Sequence, residues 1–144
     1  MKKRILILDD EIDFTFIMKR LLELTGKYEV RTTVMPGTFM DVARAYKPDL
    51  ILLDCMMPNL DGGEIAHQLE GDKDLKHTPF MFLTATIDVV ESRPSRCYTG
   101  DKKYLPKTMD WNEMFKHFDE EIAKGGASGA GAPPATVKSS AQGA

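Results

Sequence analysis

LILLDCMMPNLDGGE, residues 50–64, sets an apolar run against an abrupt carboxylate. Leu50, Ile51, Leu52 and Leu53 have the length and composition of a buried strand, and Asp54 ends them. A short loop follows, with Met56, Pro58, Asp61, Gly62 and Gly63. Turn chemistry alone would account for such a loop, because Asp, Pro, Asn and Gly all favour turns. The other account makes the strand a rigid mount for a reactive carboxylate at its tip. Residues elsewhere in the chain decide between them.

Working outward, three more runs share the pattern. RILILD (4–9) delivers Asp9, with Asp10 next; PFMFLTA (79–85) delivers Thr84; KKYLPK (102–107) carries Tyr104 and ends in Lys107. YEVRTTV (28–34) alternates apolar and polar residues, as a half-covered strand does. Helical patterns separate the runs. Residues 12–26 place Phe14, Ile17, Met18, Leu21, Leu22 and Thr25 at helical spacing, with Gly26 as a stop. Residues 37–47 are closed by Pro48, and 63–71 form a short helix. In 110–124, Asp110 with Glu113 makes a capping box, and Trp111, Met114 or Phe115, Phe118 and Ile122 form one face. Nearly all-apolar strands alternating with helices predict an α/β fold, a doubly wound parallel sheet with helices on both faces. Ligands of such sheets bind outside the carboxyl ends of the strands. Those ends present Asp9, Asp10, Asp54, Thr84 and Lys107 to one rim.

The 144 residues suit one domain, and a formal net charge of −3 gives no general attraction to nucleic acid or anionic membranes. No stretch approaches the roughly 20 apolar residues of a membrane span, and the short run after MKKR is not a signal peptide. Cys55 and Cys97 are far apart and lack metal-ligand spacing, so a reducing cytoplasm is the expected setting. His67, His77 and His117 are scattered, without ligand spacing. From Gly125 the sequence GGASGAGAPPATVKSSAQGA has no periodic apolar face. The expected division is therefore a domain over 1–124 and a flexible tail or linker over 125–144.

Clustered carboxylates repel unless a cation joins them, and an all-oxygen site suits Mg²⁺, Mn²⁺ or Ca²⁺. Lys107 adds a point charge for an anionic oxygen, and Thr84 adds a donor. Around an exposed carboxylate these are the parts of phosphoryl transfer, with Asp54 as the nucleophile that becomes an acyl phosphate. Taken singly, Asp9, Asp10 and Glu11 suit a helix N-terminus, Thr84 and Tyr104 suit a strand, and Lys107 suits a surface. Their convergence on one rim favours a site. Glu11 is assigned to capping and charge rather than to ligation.

These motifs, in this order, resemble the receiver domain of bacterial response regulators over residues 3 to about 124. LILDDE resembles its first-strand acidic motif, LLDCMMPNLDGGE its phosphoacceptor motif, FLTAT its switch-hydroxyl strand and YLPK its last strand. The resemblance implies a flavodoxin-like five-stranded sheet in order 2-1-3-4-5. It implies phosphorylation at Asp54, with Asp10, Asp54 and the backbone carbonyl of Met56 holding Mg²⁺ and Asp9 helping through water. It implies Lys107 and Thr84 at the phosphoryl group and a Thr84–Tyr104 switch. The expected donor is a sensor histidine kinase or phosphotransfer protein. The expected output is an unidentified protein partner or a relay, since no output domain is read after residue 124. Self-catalysed phosphorylation and dephosphorylation, without separate substrate turnover, follow from the same resemblance.

Two departures generate expectations. Thr108 stands where the family commonly has proline, so the Lys107–Thr108 bond is expected to be trans. Pro94 and Gly100 interrupt the segment after Thr84, so no continuous helix is expected across 88–99. Three rival readings remain. A metal-dependent aspartyl phosphohydrolase would place first-strand acids two apart, whereas Asp9 is followed directly by Asp10. The others are a phosphorylation-independent, receiver-like interaction module and a simple acidic cation-binding domain.

Overall fold

The apolar runs become strands. In the computed structural model, which describes residues 2–54, 62–85 and 104–129, these are β1 (Lys3–Leu8), β2 (Tyr28–Thr33), β3 (Leu50–Asp54), β4 (Phe80–Thr84) and β5 (Tyr104–Pro106). They pair in parallel in the order β2-β1-β3-β4-β5, the expected doubly wound sheet. Every residue of β3 and β4 is buried, because helices cover both faces there and leave no polar side for alternation. β2 lies at an edge and keeps the alternation, burying Tyr28 and Val30.

The described helices are α1 (Ile12–Leu24), α2 (Phe39–Tyr46), α3 (Gly62–Gly71) and α4 (Trp111–Gly129), with a 3₁₀ turn at Pro36–Thr38. Met18 and Leu22 of α1 join Met114, Phe118 and Ile122 of α4 against Ile5, Ile7, Leu50, Leu52, Met81, Leu83 and Leu105. Phe39 and Ala43 of α2 join Ile65, Ala66 and Leu69 of α3 against Leu6, Leu8, Ile51, Leu53, Phe80 and Phe82. Side chains of β1, β3, β4 and β5 alternate between these two cores, as pleated strands require, whereas edge strand β2 serves one core and solvent.

Local signals explain the ends. Gly26 takes φ 77°, where a side chain is disfavoured, and donates to the Glu23 carbonyl at 3.1 Å to stop α1. Asp110 Oδ2 accepts the N–H groups of Asn112 at 3.0 Å and Glu113 at 3.3 Å, which caps α4. The Lys107–Thr108 bond is trans, since the described residues contain no cis peptide. No described helix is long and apolar enough to cross a membrane.

Two expectations are corrected. The buried stripe of α1 is Thr15, Met18 and Leu22, whereas Ile17 is 48% exposed and Thr25 faces solvent. α1 carries apolar residues around most of its circumference, so spacing alone did not choose the stripe that meets the sheet. α4 also runs on to Gly129, beyond the expected boundary at Lys124. It passes so close to Pro79 at Gly125 that a Cβ there would lie 2.6 Å from the proline Cδ. The segment 88–99 and residues 130–144 lie outside the described residues.

Candidate functional site

Strand parity sorts the predicted residues before any contact is measured. Ile5 and Ile7, Leu50 and Leu52, and Leu105 face α1 and α4. Continuing the alternation sends Asp9, Asp54 and Lys107 to that same side. Phe82 faces the α2 and α3 side, and Tyr104 packs there with it, so Thr84 shares their parity. Backbone ladders carry the site residues beyond the strand ends. Asp9 donates its N–H to the Thr33 carbonyl at 3.2 Å, and Lys107 donates to the Thr84 carbonyl at 2.7 Å. Asp54 thus ends a strand, and Asp9 and Lys107 are held one residue beyond strand ends by backbone bonds, whereas Asp10 lies in the bend before α1.

Asp9 is fully buried and Asp10 is exposed, while Asp54, expected to be an exposed carboxylate, is only 3% exposed. One oxygen from each lies within 4.8 Å of the others. The Lys107 ammonium lies 2.9 Å from Asp9 Oδ2 and 3.6 Å from Asp54 Oδ2, and it also pairs with Glu11. Its side chain is only 8% exposed. Phe14 presents its ring 5.0 Å from the ammonium, within cation–π range, and stacks on Trp111 at 5.5 Å. Burial alone would depress the Lys107 pKa. Contacts with Glu11 and Asp9, with the charges of Asp9 and Asp54, outweigh it and hold the pKa above the usual lysine value. Among the described residues, four carboxylates (Asp9, Asp10, Glu11, Asp54) and one ammonium leave a formal charge of −3 at the rim.

That surplus suits a hard divalent cation. Asp9 Oδ1 accepts the Glu11 N–H at 2.9 Å, while the buried Oδ2 faces the ammonium and, among the described residues, has no directed hydrogen bond. An Mg²⁺ octahedron spans about 4.2 Å between opposite oxygens, comparable with the separation of the three carboxylates. Asp9, Asp10 and Asp54 therefore fit Mg²⁺ in donor type and spacing, and Mn²⁺ prefers the same donors. Met56 lies outside the described residues.

The remaining predicted residues have distinct places. Thr84 is fully buried at the tip of β4. Tyr104 stacks on Phe82 with ring centroids 4.8 Å apart, and its hydroxyl is shielded from solvent. Glu11, expected to cap α1, makes no side-chain capping bond and instead pairs with Lys107, and Phe14, assigned no role at the site, backs the same ammonium. Glu11 sits beside Asp10 at the same rim, so its proximity was legible. Its partner was not, because Lys107 lies 96 positions away.

The model of the response regulator receiver domain matches residues 5–119. The chain belongs to this receiver family. The receiver domain is 37% identical over 113 residues to the probable transcriptional regulator ycf27 of Cyanophora paradoxa, covering 78% of this chain and 45% of the relative. It is 35% identical over 114 residues to the response regulator MprA of Mycobacterium tuberculosis, covering 79% of this chain and 48% of MprA. The receiver domain thus spans about half the length of these curated relatives. Among solved structures, it matches the receiver domain of the sensor histidine kinase PA1611 from Pseudomonas aeruginosa with a TM-score of 0.74. That match covers 85% of this chain and 99% of the other at 21% identity, a likeness of fold; the PA1611 domain has a magnesium ion coordinated in its active site cleft. Membership of this family puts the receiver domain in two-component signalling.

Proposed function

We propose that Asp54 accepts a phosphoryl group from a phosphohistidine on a sensor histidine kinase or phosphotransfer protein, and that phosphorylation switches a protein-binding surface. One observation carries this reading. A buried carboxylate at a strand tip has an ammonium at 3.6 Å and two further carboxylates within 4.8 Å. An Asp54 oxygen attacks phosphorus, forming a P–O bond as the P–N bond breaks. The bonding pair stays on the imidazole nitrogen, which takes up a proton. Lys107 stabilises the developing charge on the transferring oxygens. Asp9, Asp10 and Asp54, with the Met56 carbonyl, would hold Mg²⁺, which supplies further charge neutralisation when bound. Thr84 then turns its hydroxyl toward the phosphoryl oxygens and Tyr104 follows, biasing a two-state surface.

The setting is the cytoplasm, the output is a protein contact or a phosphoryl relay, and turnover is confined to the domain's own phosphorylation and dephosphorylation. Incubation with acetyl phosphate and Mg²⁺, followed by intact-mass measurement, tests the reading. Wild type should gain one phosphoryl group, and Asp54→Asn or excess chelator should abolish the gain. Absence of label on wild type, or equal label on Asp54→Asn, overturns it.

A further inference from the structure

The Lys107 ammonium is shared unequally. It meets Asp9 at 2.9 Å and Glu11 by a shorter contact, and both are nearer than Asp54 at 3.6 Å. The ring of Phe14 backs it at 5.0 Å. The three carboxylates differ in how easily each could lose its partner. Asp9 is buried at a ladder-bonded strand end, and Asp54 is buried at the tip of β3. Of the two partners that Lys107 could leave, Asp9 loses more, because a buried carboxylate cannot be rehydrated in place. Glu11 is 56% exposed, occupies the N-cap position of α1 and makes no side-chain capping bond there. Water can solvate its carboxylate when Lys107 departs.

We infer that Glu11 is a positioning residue: it restrains Lys107 toward the Asp9 side and thereby limits how tightly the site takes an anionic phosphoryl group. This rests on the reading of Asp54 as phosphoacceptor. A phosphoryl group on Asp54 adds negative charge on the side where Lys107 is least engaged. The ammonium must give up one carboxylate to meet it, and the exposed Glu11 is the partner released. Opening this contact works against anion binding by an amount typical of a half-exposed ion pair. Neutralising Glu11 removes that opposition.

The test uses the full chain and beryllofluoride, a non-hydrolysable phosphoryl mimic, titrated in saturating Mg²⁺. Glu11→Gln should bind it about three- to fivefold more tightly than wild type. In a Lys107→Gln background the same substitution should change affinity little, because its effect runs through the ammonium. An equal gain in both backgrounds would assign Glu11 a through-space repulsion and overturn the inference. No gain in the wild-type background overturns it too. Direct observation of the Lys107 ¹⁵Nζ resonance needs no Lys107 variant: Glu11→Gln should shift it before any anion is added. An unshifted resonance refutes the restraint. Wild type that binds no beryllofluoride removes the phosphoacceptor reading itself, and this inference with it.

Discussion

Replacing Asp10 by Asn should make the metal-free domain more stable. Each of its two carboxylate neighbours, Asp9 and Asp54, has an oxygen within 4.8 Å, and Lys107 pairs with the other acids of the rim. At the 4.8 Å limit, two like charges repel by about 0.9 kcal/mol in a water-like dielectric and about 3.5 kcal/mol at an effective constant of 20. Asp10 is exposed, so the lower figure is the safer guide, about 1.7 kcal/mol for both pairs. Against this stands the loss of a carboxylate at the N-terminus of α1, worth about 0.3–1 kcal/mol. The net gain is about 1 kcal/mol, or roughly 3 °C in Tm for a domain of this size. Thermal unfolding by circular dichroism in chelator reads it directly. Mg²⁺ should then raise Tm less for Asp10→Asn than for wild type, because a proposed ligand has been removed. An unchanged or lowered Tm in chelator would refute the claim that these carboxylates are held together against their repulsion.

Other expectations follow from single contacts. Lys107→Ala should reduce labelling by acetyl phosphate and phosphorylation-dependent partner binding more than Thr108→Ala does; the reverse ranking would move the functional weight off the ammonium. Arg44 bonds Asp72 through Nε at 2.8 Å and Nη2 at 2.6 Å. That contact holds the Asp72 pKa below the ordinary 3.8. Its contribution is therefore complete above the unfolded pKa near 3.8 and is lost as pH falls through the lower folded value, so Asp72→Asn should flatten the acid limb of a stability–pH profile. Gly→Ala inside a helix ordinarily stabilises by about 1 kcal/mol. At Gly125 the sign should reverse, because the new Cβ would meet a proline ring atom at 2.6 Å; amide exchange over 125–129 should quicken. Truncation after Lys124 should lower Tm, whereas removal of 130–144 should leave it unchanged.

The sequence by itself determined the architecture and the rim. Fully apolar runs such as Leu50–Leu53 exclude a sheet with one wet face, and helices between them require parallel pairing. Since ligands of such sheets gather at carboxyl ends, Asp9, Asp10, Asp54, Thr84 and Lys107 could be assigned to one side from order alone. Tertiary structure decided what depends on distance and parity across strands. It brought Asp9, Asp54 and Lys107 together and packed Tyr104 on Phe82 beside α2 and α3. It gave the Lys107 ammonium to Asp9 and Glu11 ahead of Asp54, with Phe14 behind it. It chose Thr15, Met18 and Leu22 over Ile17 as the stripe of α1 and carried α4 past Lys124 against Pro79. None of these has a local signal. Hydrophobic periodicity reports which residues leave water, whereas the partner of a buried charge depends on strand register and side-chain reach between segments distant in the chain.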